Sequence, residues 1–170
     1  MSTGPFWGKY RGQVVNNVDP LMIGRIQVHV SDVSAVPLAT WAMPCVPVAG
    51  MNMGVFTVPP IGAGVWIEFE KGDPDYPIWV GGYWGSVAET PALAKMVPPG
   101  IAGITLQTTF KNGIVVSDTP GPSGGILIQT ATGAMVSVSD VGIIISNGRG
   151  AIINMTGPTT DVNLGALTVV

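Results

Sequence analysis

The chain has 170 residues, 46% of them hydrophobic and only 10% charged, with a formal net charge of -3; ordinary domains carry about 25% charged residues. Such an apolar composition excludes disorder despite 24 Gly and 15 Pro, and 7 Lys and Arg against 10 Asp and Glu exclude the basic footprint of a nucleic-acid binder. No apolar run approaches the ~18 residues of a membrane span. Sparse charge would leave a monomer with much wet apolar surface, which marks an interface, so an oligomer built from many short strands is expected.

Residues 1–7 hold no basic region followed by an apolar core, and no secretory signal is read there. Residues 10–20 read as a strand entering an Asn/Asp/Pro turn. In residues 24–30 Ile26, Val28 and Val30 alternate with Arg25, Gln27 and His29, the period-two pattern of a strand with one buried face. Residues 31–58 are irregular, with a strand resuming at about Val55 to Val58. Cys45 is the only cysteine; it is expected to be a buried small hydrophobe rather than a reactive thiol. Val65, Ile67 and Phe69 then alternate with Trp66 and Glu68, and Lys71-Gly72-Asp73-Pro74-Asp75 collects residues that turn a chain before the β-prone Ile78-Trp79-Val80. A hairpin is expected here, and roughly five strands across the first ~85 residues suit a small barrel.

Residues 86–102 form a connector, the one stretch where a short helix is possible, limited by Pro91. From Gly103 onward Lys111, Asp118, Asp140, Arg149 and Asp161 are the only charges, and short β-prone runs recur between glycines. Repetition on this scale indicates a solenoid or fibre. A lone array would offer open sheet edges and apolar side chains to aggregation. Wrapping three copies about one axis buries an inner row, for which Ile126, Ile128, Val136, Val138, Ile143 and Ile145 are the candidate trimer-core residues. Residues 166–170 are strand-like and apolar; Leu167, Val169 and Val170 are expected to meet a separate tip protein.

The side chains that could carry chemistry are few. Glu68 and Glu70 are expected to share a strand's outer face, with Asp73 and Asp75 in a turn, whereas glycoside hydrolysis needs two carboxylates across a cleft. His29 is the single His, too few for a closed transition-metal site. No catalytic residue, metal site or cofactor is assigned, and the protein is not expected to be an enzyme. Trp66 and Trp79 supply the alternative reading, a trimeric glycan-binding β module.

The phrase Pro-Pro-x-Gly-x-x-Val-Trp-x-x-Phe-Glu-x-Gly-Asp-Pro-Asp-x-Pro-x-x-x-Gly, running from Pro59 to Gly81, resembles the core of the baseplate assembly protein V family of contractile phage tails, related to the valine-glycine repeat spike proteins of type VI secretion. Asn-x-x-Asp-Pro-x-x-x-Gly-Arg-Ile-x-Val from Asn16 to Val28, and Ser-Asp-x-Gly-Ile-x-Ile from Ser139 to Ile145, resemble the same family. The resemblance implies an all-β protein with an oligonucleotide/oligosaccharide-binding (OB) barrel over residues 1–85, a linker over 86–102, and a triple-stranded β-helix over 103–170 in an intertwined homotrimer. It further implies a structural central spike in the virion tail baseplate, assembled in the host cytoplasm. The implied partners are a tail hub protein, a proline-alanine-alanine-arginine repeat tip protein, baseplate wedge proteins and, during injection, the target cell envelope.

Overall fold

The computed structural model describes residues 5–169. Its contacts divide the chain into two compact units, Met1–Glu89 and Thr90–Val170. Fifteen strands and four short 3-10 turns make up the regular structure, and no α-helix occurs among the described residues.

The first unit is built on strands β1 (Tyr10–Asn16), β2 (Gln27–His29), β3 (Met43–Pro44), β6 (Gly64–Phe69) and β7 (Pro77–Tyr83), with a separate small hairpin of β4 (Ala49–Gly50) and β5 (Met53–Gly54). The strand order is β2-β1-β6-β7-β3, and an Ile26–Ala42 bridge joins the two ends into a closed barrel. Closure removes the free edges that a small sheet would otherwise present. Inside lie Val14, Ile26, Val28, Val30, Ala42, Val65, Ile67, Phe69 and Trp79, with Phe6. The alternations in residues 24–30 and 65–69 thus describe the inward faces correctly. Gly12 also points inward, where an added Cβ would stand 2.9 Å from Ile67 Cγ1.

Two loops explain the most distinctive words of the sequence. In the first, the Asp19 carboxylate accepts hydrogen bonds from the backbone N–H groups of Leu21, Ile23 and Arg25 and from Nε and Nη2 of Arg25. The Arg25 guanidinium lies 5.4 Å from the Trp41 ring centroid, so Asp19 and Arg25 tie loop, strand and Trp41 together. In the second, between β6 and β7, Lys71 and Gly72 take positive φ, and Gly72 is approached so closely by Pro5 that a Cβ would stand 2.9 Å away. The Gly72 carbonyl accepts the Phe6 N–H, and Asp73 caps the turn by accepting from the Asp75 N–H.

The structure corrects several expectations here. The fifth barrel strand is Met43–Pro44, parallel to β7, while Val55 to Val58 form no strand. Glu70 opens the 3-10 turn Glu70–Gly72 rather than continuing the strand of Glu68. Cys45 is exposed, at the margin of the sheet just past Met43–Pro44, where its backbone N–H donates to the Trp79 carbonyl.

Residues 86–102 divide between the units. The turn Leu93–Met96 belongs to the second, where Leu93 is buried and its N–H donates to Gln107 Oε1. That unit is one meander of eight antiparallel strands: β8 (Gly103–Gln107), β9 (Gly113–Ser117), β10 (Gly125–Gln129), β11 (Met135–Ser139), β12 (Gly142–Ser146), β13 (Ile152–Thr156), β14 (Thr159–Val162) and β15 (Leu167–Val169), each paired with its neighbours in sequence. Glycine opens several strands for a steric reason: at Gly125, φ is +79° and a Cβ would stand 2.0 Å from the Val138 carbonyl oxygen.

Two outcomes are expected. Asp19→Asn keeps the shape of the loop anchor and removes its charge, lowering the melting temperature at pH 7. Arg25 and the three amide donors hold the Asp19 carboxyl well below the usual carboxylate range. Its contribution is therefore complete above the unfolded value of about 4 and is lost as pH falls through the lower folded value, so melting curves of parent and variant should converge in acid. Gly125→Ala, which combines a clash with an unfavourable φ, should destabilise the second unit by roughly 1–3 kcal/mol, measurable by urea unfolding at fixed protein concentration.

Candidate functional site

Register decides which side chains share a face of the meander. Directly paired residues lie on the same side of a sheet, and the pairings run Ile104–Val116–Ile126–Val138–Ile143–Met155–Thr160–Val169 in one row. A second row on the same face runs Leu106–Ile114–Ile128–Val136–Ile145–Ile153–Val162–Leu167. Every position but Thr160 is apolar. The residues between them, such as Thr105, Ser137, Asn154 and Asp161, face the other way and are mixed in character.

All six candidate trimer-core residues fall within this pair of rows. Ile126, Val138 and Ile143 are successive members of the first, and Ile128, Val136 and Ile145 of the second. Within one chain the face is largely uncovered: Ile128 is 47% exposed, and Ile104, Leu106, Ile114 and Ile153 are exposed too. The opposite face is better covered, with Val115 and Ser117 buried and Leu93 set against Gly113, where an added Cβ would stand 2.5 Å from Leu93 Cδ1. A sheet whose mixed face is half-buried and whose aliphatic face is largely bare is built to be covered by another molecule.

Of the three residues expected to meet a tip protein, Leu167 and Val169 lie on β15, the outer strand of the sheet, and both are exposed. They close the two apolar rows. Val170 lies outside the described residues.

The barrel's polar groups are arranged as follows. Glu68 pairs with Lys9, Asp75 lines a groove of about 280 Å3 whose other walls include Phe6, Val33 and Leu38, and His29 Nε2 is buried with no hydrogen-bond partner among the described residues. No group of three or more His, Cys, Asp or Glu able to hold a metal is found among the described residues. The stacking platforms of the glycan reading are altered. Trp79 belongs to the barrel core, its indole N–H donating to the Gly24 carbonyl, because the side chain follows the inward face of β7. Trp66 stays on the outer face, tilted against Tyr83 at 5.1 Å between centroids, with the Arg11 guanidinium 5.6 Å from the Trp66 ring and 5.3 Å from the Tyr83 ring. Sequence alone could not separate these two tryptophans, since a bulge between Trp66 and Ile67 shifts the register of β6 on β7.

A closed barrel joined to a sheet with a bare aliphatic face defines a protein that assembles through its second unit. Comparison with known families agrees at both ends: residues 10–84 match the type VI secretion system/phage-baseplate injector OB domain, and residues 103–168 match the phage baseplate V C-terminal trimerisation domain. The two matches together span most of the chain, which belongs to the phage baseplate V family and is an all-β structural protein that forms homotrimers. No curated protein matches it.

The face argument is tested by paired substitutions on facing and non-facing positions. Ile128→Asp places a carboxylate on the bare aliphatic face; where three such faces meet, the unpaired charges cost several kcal/mol each, and the expected outcome is a light-scattering mass that falls from trimer to monomer. Ser137→Asp, one strand away but on the opposite face, should leave the trimer intact.

Proposed function

We propose that the chain is the central spike of a contractile-tail baseplate, joining the tail hub to a needle that pierces the target envelope. The observation that carries this reading is the pair of rows, apolar at every position but Thr160, that extends across all eight strands of the second unit. Three such faces turned inward make a triple-stranded β-helix whose interior is continuous aliphatic packing. With strands ~4.8 Å apart, eight of them give a stack about 34 Å long. Sheath contraction supplies the work, and the needle transmits it. The role is mechanical, not enzymatic.

The location that follows is the tail baseplate of the virion, with assembly in the host cytoplasm. In this reading the barrels meet the hub protein and, at their flanks, wedge proteins of the baseplate. Leu167 and Val169, on an outer strand with exposed apolar side chains, meet a tip protein of the proline-alanine-alanine-arginine repeat kind.

The deciding measurement is solution mass. The full chain should scatter as a trimer, and a chain truncated after Glu89 should scatter as a monomer that retains the barrel's circular dichroism. A monodisperse full-length monomer would sink the spike and the trimeric glycan-binding module alike. That alternative also requires a saccharide affinity lost in Trp66→Ala, for which the spike reading expects no affinity to lose.

A further inference from the structure

We infer that one end of the barrel, centred on Met22 and Phe56, is a second contact between protomers, packing against the neighbouring copy of the chain. This inference rests on the homotrimer and adds to it a surface outside the trimerisation domain.

Leu21, Met22 and Ile23 stand in succession in the loop after β1, all exposed, Met22 to 81%. Phe56, 67% exposed, lies beside them, its ring edge 3.4 Å from where a Gly24 Cβ would stand. These side chains are held out, not left loose. The Asp19 carboxylate fastens the loop at the N–H groups of Leu21, Ile23 and Arg25, and Met22 takes φ +51°, a conformation that costs a non-glycine residue free energy. The Asp19 anchor and the strained Met22 not only steady the barrel's loop but also hold aliphatic side chains out in water. They preorganise a contact.

Position and charge select the occupant. Gly64 pairs with Tyr83, the last residue of β7, and with Gln13 of β1, while Asn17 Nδ2 donates to the Pro59 carbonyl. The loop after β1 therefore projects from the end of the barrel at which the chain departs for the trimerisation domain. Three barrels leashed through this end meet one another at an effective concentration of roughly millimolar, so a modest patch suffices. Within residues 17–24 and 48–62 Asp19 is the only charged residue, and it is buried against Arg25. Close to a three-fold axis a charge lies beside its own copies, so an uncharged patch is the kind that can pack there. The other end of the barrel, the turn carrying Glu70, Lys71, Asp73 and Asp75, has the opposite character.

The test is photo-crosslinking in the full-length protein, with a benzophenone amino acid at position 22 or 56 and, as the reference, at exposed Tyr76 in the charged turn. Light scattering on the same samples reads the oligomeric state independently. The expected result is a trimeric mass together with covalent dimers and trimers from positions 22 and 56 at a yield several-fold above that from position 76. A trimeric mass with yields no higher than at position 76 would overturn the inference while leaving the spike reading standing, as would crosslinks that form only when a hub protein is added. A monomeric mass would remove both.

Discussion

The structure turns on an aliphatic sheet face that its own chain leaves bare. In the barrel, the inward side chains of five strands meet one another across a closed interior, and Ile26, Ile67, Val14, Val28 and Val65 are fully buried within one chain. In the meander the equivalent side chains form two rows that meet only their neighbours along the rows. Hydrogen bonding along the strands is satisfied there, but burial, the larger driving force, is deferred to association. The near absence of charge in the last two-fifths or so of the sequence accords with the same constraint, since a lysine or glutamate on a face covered by association would be buried without a partner.

Function in such a design lies in the absence of weak points. The meander connects each strand to the next by short turns, so no strand depends on a distant segment, and glycine occupies the turns because the neighbouring strand's carbonyls leave no room for a Cβ at Gly125 or Gly142. The barrel uses its few charges differently. Asp19 and Arg25 form one partly buried pair that fixes a loop, and Glu70, Asp73 and Asp75 gather in the turn between β6 and β7. Apolar packing thus sets the assembly, and charge sets the local shape of two loops.

Much of this was legible in the sequence, and the failures have physical causes. Period-two alternation gave the inward faces of β2 and β6 and the shared face of β10, β11 and β12, because those strands put consistent side chains on consistent faces. Thr159–Val162 went unread: Thr, Thr and Asp carry no apolar alternation, and the strand exists because β13 and β15 pair with it on both sides. Met43–Pro44 was hidden by Pro44 and Pro47, which a strand tolerates at an edge or at its margin, and here the strand is only two residues long. Val55 to Val58 had β propensity but no partner strand, and propensity without pairing makes no strand. The candidate trimer residues were recoverable because alternation names a face; which of the two faces is bare was not, since that depends on Leu93 covering the opposite side from outside the repeat.

The division into two units also orders how the molecule must form. The barrel owns its core and its closing bridge, so its folding is an event within one chain, although it joins strands distant in sequence, such as β1 with β6, which slows such topologies. The meander has local connections, which form quickly, but no core of its own, so its stable state exists only in the trimer and its folding free energy is inseparable from protomer concentration. Until three chains meet, its aliphatic face and outer strands are open to wrong partners. A folded, closed barrel on each chain keeps the aggregation-prone part to about the last two-fifths of the sequence, and a second contact at the barrel end would hold three meanders together while their rows come into register.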